Sequence, residues 1–371
     1  MRSVSDGAVF EKIAGMIGIM PDEDSQNAPL NDRYSRQTRF PHIGDEGQQK
    51  IGASTVLLIG CGALGSVIAD SLVRAGVGTL RLVDRDFLEL SNLQRQTLFD
   101  EEDVAGGLPK SIAAANRLAK INSNVKIEPH VMDVDSGNIA SLVDGVDLIL
   151  DGSDNFEIRF LINDASIKWN IPWIYGGCLG ADGQAMVILP GETACLNCLM
   201  MDGPPAPGTT ATCDSFGILA PIINVIGSFQ VMEALKILSG NPDAINRKLN
   251  VFEMWTNDFR QLDMSRLRES VDCPTCKQQK FQWLSGDRES QSAILCGRNA
   301  VQINPQQKAS LSLPELAERL ERAGRVETNK FLLRFFVDDF KVTVFPDGRA
   351  IISGTDELAT AKKIYAQYIG A

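Results

Sequence analysis

The chain has 371 residues, 44% of them hydrophobic and 22% charged, and carries a net charge of −11 at pH 7. That length and balance suit two folded domains and exclude an extended disordered chain. The acidic surplus argues against binding nucleic acid through a basic face, although a local basic pocket for a nucleotide is compatible with it.

Residues 1–30 are small, polar and increasingly acidic, and read as an arm outside the main fold. The apolar stretch at 9–20 is broken by Glu11 and Lys12 and lacks a small-residue cleavage pattern, so it is a poor signal peptide. The apolar stretch at 216–232 contains Pro221, Asn224, Ser228 and Gln230, which favours a buried helix over a membrane span. The expectation is a cytoplasmic protein whose eight cysteines serve metal or catalysis before disulfides.

From Thr55 the pattern becomes regular. Thr55–Ile59 is a β-branched apolar run, followed by Gly60-Cys61-Gly62-Ala63-Leu64-Gly65, a helix to about Arg74, and a helix stop at Gly76. Thr79–Val83 is a second strand with Asp84 at its tip, which completes one βαβ unit with a right-handed crossover. The alternation predicts helices at 111–120, 136–143 and 156–169, and extended segments at 125–129, 147–150 and 173–175. Segments 184–189 and 248–252 read as antiparallel edge strands flanking a long helix over 218–238. A composition shift near 287–290 marks a boundary. Beyond it a strand (300–303), a helix (312–322), three further strands (331–337, 341–345, 350–353) and a last helix (356–369) predict a small α+β unit. The expected fold class is α/β: a doubly wound, Rossmann-like, mostly parallel sheet with antiparallel edges. Its expected divisions are an arm at 1–30, a nucleotide-binding domain at 31–286 and a C-terminal domain at 287–371.

Glycines 60, 62 and 65 lie between a strand and a helix, where they permit a tight turn and close approach of an anion to backbone N–H groups. Asp84 is positioned to accept ribose hydroxyls. Alone, this fingerprint fits NAD as well as ATP. The segment Ser91-Asn92-Leu93-Gln94-Arg95-Gln96, the lysine of Gly107-Leu108-Pro109-Lys110 and the run Asp151-Gly152-Ser153-Asp154-Asn155 change that balance. In a doubly wound sheet their positions converge on one crevice, so Arg95 and Lys110 can bracket a triphosphate and Asp154 can hold Mg²⁺.

Arg33-Tyr34-Ser35-Arg36-Gln37, GCGALG, SNLQRQ, the GxPK-like lysine and DxxDN together resemble the ThiF/MoeB adenylyltransferases, bacterial relatives of the ubiquitin-activating enzymes. The resemblance covers roughly 31–280 in collinear order, with Ala63 where the family usually has glycine. It implies an enzyme that adenylylates the C-terminal glycine carboxylate of a ubiquitin-like sulfur carrier and releases pyrophosphate. It further implies that Asp84 binds ribose, that Ser91, Asn92, Arg95 and Lys110 serve the phosphates, and that Asp154, with Asn155 beside it, coordinates Mg²⁺. Arg36 would reach into the ATP site of the second subunit of a homodimer. Alternatives are the same chemistry on another carboxylate (a peptide or a tRNA-modification substrate), a nucleotide-regulated binding protein, and an NAD-linked oxidoreductase.

Cys195-Leu196-Asn197-Cys198 and Cys273-Pro274-Thr275-Cys276 are two C-x₂-C pairs, the four-thiolate set of a structural Zn²⁺ site with no open position. Cys213 lies in a polar glycine-bounded loop just before the long helix. It is the candidate for a covalent bond to the carrier or a sulfur relay, with an incidental loop cysteine as the bland reading. Cys61, Cys178 and Cys296 read as buried small residues. The two histidines, His42 and His130, have no partner visible by spacing and are assigned no acid–base chemistry. Cys296 and Arg298 do not match a sulfurtransferase active loop, so the sulfur donor is expected to act in trans.

Overall fold

In a computed structural model, residues 32–201, 203–204, 213–288, 292–295, 299–303 and 311–370 are described. The arm expected at 1–30 lies outside them. The larger unit is built on strands β1 (Thr55–Ile59), β2 (Thr79–Val83), β3 (Lys126–His130), β4 (Leu148–Asp151), β5 (Trp173–Leu179), β6 (Asp182–Ile188), β7 (Leu249–Glu253) and β8 (Asp258–Leu262). They form one sheet in the order β3-β2-β1-β4-β5-β6-β7-β8. The first five are parallel and the last three antiparallel. Strand β4 (Leu-Ile-Leu-Asp) is buried at every position, which is why its sequence is continuously apolar rather than alternating.

Four helices position the site: α1 (Ala63–Ala75), α2 (Lys110–Ile121), α3 (Phe156–Trp169) and α4 (Ala220–Leu238). Helix α1 ends at Gly76, whose φ of +83° is left-handed, and a Cβ there would come within 2.4 Å of the Tyr34 ring. Helix α3 starts where the Asn155 side chain accepts the N–H of Glu157 at 2.8 Å, and ends at Asn170, also left-handed. Helix α4 is apolar and long enough to cross a membrane, but half of it is buried inside the fold against α1 and the sheet. One core layer packs Leu58, Ile68, Leu72 and Ile226 on one face of the sheet; the other packs Leu57, Phe160, Trp173 and Cys195 on the opposite face.

The second unit is a six-stranded antiparallel sheet. Its strands are β9 (Ser292–Leu295), β10 (Ala300–Ile303), β11 (Arg325–Thr328), β12 (Leu333–Val337), β13 (Phe340–Val344) and β14 (Ala350–Ser353), in the order β11-β12-β13-β14-β10-β9. Helices α5 (Leu313–Leu320) and α6 (Leu358–Tyr368) bury Leu316, Leu320, Ala361 and Ile364 against Val301, Phe335 and Ile352.

Some expectations shift. The helix expected over 136–143 is a single turn, Ile139–Leu142, because Asp135 and Asn138 side chains bind the backbone N–H groups of Gly137 and Asp135 and hold the preceding residues in a turn. The strand expected from 331 starts at Leu333, because the Asn329 side chain accepts both the Phe331 and Leu332 N–H groups.

Candidate active site

The parallel register dictates where the site forms. Ile59 pairs with Val83 on one side and Asp151 on the other, so the residues that follow, Gly60, Asp84 and Gly152, emerge side by side. This is the point where strand order reverses, and chains leaving in opposite directions open a crevice there. The crevice has a volume of about 750 Å³. Gly60, Gly62, Ala63, Asp84, Arg95, Lys110, Asp154 and Asn155 all line it. The two cations and the acid singled out from sequence therefore share one pocket.

The glycines divide the work. A Cβ on Gly65 would lie 2.0 Å from the Gly60 carbonyl oxygen, and one on Gly60, at φ +91°, would lie 2.6 Å from the Gly152 backbone. Gly65 does not line the crevice; it lets α1 press onto the turn. A Cβ on Gly62 would meet nothing nearer than the Gln96 amide at 3.8 Å, so the space above it is open to a ligand. No side chain caps the start of α1, which leaves its N-terminal end facing the crevice.

Asp84 is held from two sides: its Oδ2 accepts the Cys61 N–H and its Oδ1 the Asp86 N–H, each at 2.6 Å. Burial raises its carboxyl above the usual range while the nearby Lys110 charge opposes the rise. Lys110 is itself buried, with its ammonium 3.3 Å from Asp86 Oδ2. Arg95 donates to the Ser91 carbonyl at 2.8 Å and turns toward the pocket. The loop that carries Asp154 is fixed beneath by a buried ion pair. Arg159 Nε donates to Asp151 Oδ2 at 2.9 Å, and its Nη2 donates to the Ser153 and Gly176 carbonyls. Asp151 Oδ1 accepts the Ser153 N–H and hydroxyl.

Away from the crevice, the four paired cysteines converge. Sγ–Sγ distances are 3.8 Å for Cys195–Cys198, 3.6 Å for Cys195–Cys273 and 3.4 Å for Cys198–Cys276, and all four sulfurs lie within 4.8 Å of one another. Tetrahedral zinc with Zn–S bonds of about 2.3 Å requires sulfurs about 3.8 Å apart, so the cluster is able to hold zinc. Asn163 accepts the Leu196 N–H and Asp164 accepts the Thr275 hydroxyl and the Trp283 N–H, which ties both cysteine loops to α3.

The ThiF family profile matches residues 34–275, a span that contains both the crevice and the cysteine cluster. The chain belongs to the ThiF family. It is 43% identical over 342 residues to the sulfur carrier protein ThiS adenylyltransferase of Bacillus subtilis, covering 92% of this chain and 100% of that protein. It is 36% identical over 250 residues to a sulfur carrier protein adenylyltransferase of Thermus thermophilus, covering 66% and 90% of the two chains. Among solved structures, Escherichia coli MccB with ATP shares the fold with a TM-score of 0.58 at 23% identity, over 73% of this chain and 80% of that one.

Within this ThiF-family chain, several residues named from sequence stand apart from the pocket. Ser91 is exposed and outside the crevice lining. Asn92 is buried, and its side chain accepts the Glu89 N–H at 3.1 Å as a local helix cap. Arg36 is exposed on the short helix Ser35–Thr38, outside the crevice. Cys213 opens the one-turn helix Cys213–Phe216, and its thiol, like Cys296, lies outside the described residues. Cys61 is buried, which pushes its thiol well above the usual range; Cys178, expected in the core, is half-buried and lines the crevice at the far end of β5. Sequence reasoning gave no role to Arg85, Asp86, Gln96, Asp133, Asp151 or Arg159. The available signal was position: Arg85 and Asp86 follow Asp84 directly, and Arg159 is one helical turn beyond the cap residue Asn155. The Gln96 side-chain oxygen is buried with no donor among the described residues, facing the crevice.

Proposed function

We propose that this chain catalyses ATP-dependent adenylylation of a ubiquitin-like sulfur-carrier protein at its C-terminal glycine carboxylate. The observation that carries this reading is the convergence of Arg95, Lys110 and Asp154 on one crevice beside Asp84, in a ThiF-family chain aligned along its length with a ThiS adenylyltransferase. A carboxylate oxygen of the carrier attacks the α-phosphorus of ATP. The bond from that phosphorus to the bridging oxygen breaks, and pyrophosphate leaves with the electron pair. The nucleophile is already ionised, so no general base is needed; positioning and charge neutralisation supply the rate.

Asp84 holds the ribose, the open turn at Gly60, Gly62 and Ala63 admits the phosphates, and Arg95 and Lys110 neutralise charge that builds toward pyrophosphate. Asp154, with Asn155, would hold Mg²⁺, which supplies further neutralisation of phosphate charge. Its loop is suited to that task because the Asp151–Arg159 pair fixes it from below. We assign structural zinc to Cys195, Cys198, Cys273 and Cys276. Residues 31–286 form the adenylylating unit, 287–371 a separate C-terminal unit, and Arg36 serves the partner's site in a homodimer. Ser91 and Asn92 support the phosphate-binding segment from outside the crevice. The carrier ends in Gly-Gly, since a narrow approach excludes Cβ atoms, and a separate protein donates the sulfur in the cytoplasm. Cys213 is the candidate for a covalent bond to the activated carrier.

The test is carrier-dependent ATP–pyrophosphate exchange. Lys110→Ala and Asp154→Ala should each reduce it by about 10²-fold or more, the scale of losing one preorganised charge-stabilising group. Wild-type exchange in either variant would sink the assignment. Mass spectrometry of a carrier adenylate separates the enzyme from a protein that only binds nucleotide.

A further inference from the structure

The C-terminal unit does not hang free of the ATP-binding crevice. It touches loops that leave the C-terminal ends of the parallel strands. Phe345 packs its ring 5.9 Å from that of Phe87, three residues beyond Asp84. Asn329 donates to the carbonyl of Gly107 at 3.5 Å, in the turn that leads to Lys110. The third contact is charged. Arg349, on the turn before β14, is 3% exposed, lies over the Phe345 ring at 4.0 Å, and brings its Nη1 within 3.1 Å of Asp133 Oδ2. Gln302 on β10 donates to that same oxygen at 3.1 Å. The other Asp133 oxygen accepts Arg85 Nη1 at 2.6 Å. Asp133 and Arg85 both line the crevice.

A buried arginine is tolerated only where its charge is met, because removing the guanidinium from water costs several kcal/mol in itself. Apart from Asp347 on its own turn, the acid that meets Arg349 belongs to the other unit. Strand order says which part of a nucleotide this chain of charges faces. Moving outward from β4 to β1, β2 and β3, the crevice wall runs from Asp154 through the glycine turn and Asp84 to Asp133. With phosphates at the glycine turn and ribose at Asp84, the base falls toward β3, where Asp133 and Arg85 stand.

We propose that the C-terminal unit acts as a clamp on the base end of the nucleotide site, with Arg349 as a positioning residue that works through Asp133 and Arg85. The inference rests on the reading of the crevice as an ATP site. Because the affected groups face the base rather than the reacting α-phosphorus, the interaction acts equally on bound ATP and on the transition state. It therefore appears in KM and not in kcat.

The experiment uses the full chain and measures ATP affinity by calorimetry, alongside KM for ATP and kcat in carrier-dependent pyrophosphate exchange. Arg349→Met should raise both Kd and KM for ATP about tenfold, with kcat within about twofold. Arg349→Lys should recover most of the loss, and Arg349→Met added to Asp133→Asn should change affinity less than about twofold, since the pair acts as a unit. If Arg349→Met does not fold, as judged by circular dichroism, Gln302→Met removes the second hold on the same carboxylate oxygen and should raise Kd and KM in the same way. Unchanged ATP affinity in the folded variant, an equal effect on kcat, or an undiminished effect in the Asp133→Asn background overturns the clamp. Absence of ATP binding in the wild-type chain overturns the nucleotide reading instead, so the two failures are distinguishable.

Discussion

Asp151 and Arg159 are both buried, and each completes the other's charge. The guanidinium also lies 5.2 Å from the ring centroids of Phe156 and Tyr175, so it is enclosed on two faces as well as paired. Burial alone would strip its proton more easily; Asp151, with Tyr175 and Asp154, together outweigh that and hold Arg159 more firmly charged than usual. Arg159→Met leaves Asp151 as an uncompensated buried anion and should cost about 3–5 kcal/mol, read as a lower midpoint in urea at unchanged slope. Asp151-Gly152-Ser153-Asp154-Asn155 advertises in the sequence the acid that lines the crevice, Asp154. It does not advertise that the first aspartate of the run is a strut. That role needs the arginine from α3, and nothing local tells an exposed helix arginine from a buried one.

At the level of elements, strands β1, β2 and β4 were legible because each is a short apolar run bounded by glycine or an acidic residue, whereas β3, Lys126–His130, is mostly polar and lies at the sheet edge. Strand β8 was not: all five of its residues, Asp258–Leu262, are exposed, and it exists because it pairs with β7 across a tight hairpin. Strand β11, Arg325–Thr328, is mostly exposed and escapes for the same reason. The two cysteine pairs join the one-turn helix Leu196–Leu199 to the loop at 273–276. With zinc bound there, removing it frees four thiols, three of them buried, and loosens the face of α3 that Asn163 and Asp164 present. A strong chelator, or Cys273→Ser, should therefore lower the melting temperature and release one equivalent of zinc, measurable with a chromogenic indicator. An unchanged melt with no metal released would leave the cluster as packed thiols.

At the scale of the whole molecule, the open question is how much of a site one chain supplies. Arg36 lies outside its own crevice, consistent with service in a neighbouring subunit's site. Mixing Arg36→Ala with Lys110→Ala chains after denaturation and refolding tests this. In the proposed homodimer, random pairing makes half the dimers mixed and each mixed dimer regains one intact site, so activity should return to about a quarter of wild type. If both homodimers are inactive and the mixture stays so, Arg36 acts within its own chain or not on the site at all. The clamp at Asp133 belongs to this scale too, since neither unit alone contains both charges.

The sequence by itself determined the doubly wound class, the glycine turn, the identity of Asp84, Arg95, Lys110 and Asp154 as crevice residues, and the pairing of two C-x₂-C motifs. Each of these is encoded in local spacing: hydrophobic period, glycine at a tight turn, acids at strand tips, thiols with two residues between them. Only the tertiary structure decided that Asn92 caps its own turn, that Gly65 lies outside the crevice and lets the helix press onto the turn, that Arg159 is buried against Asp151, and that Arg349 is buried against an acid far away in sequence. The reason is physical. A charge or a missing Cβ reveals its role only through what lies against it, and those neighbours arrive from other strands once the sheet has assembled.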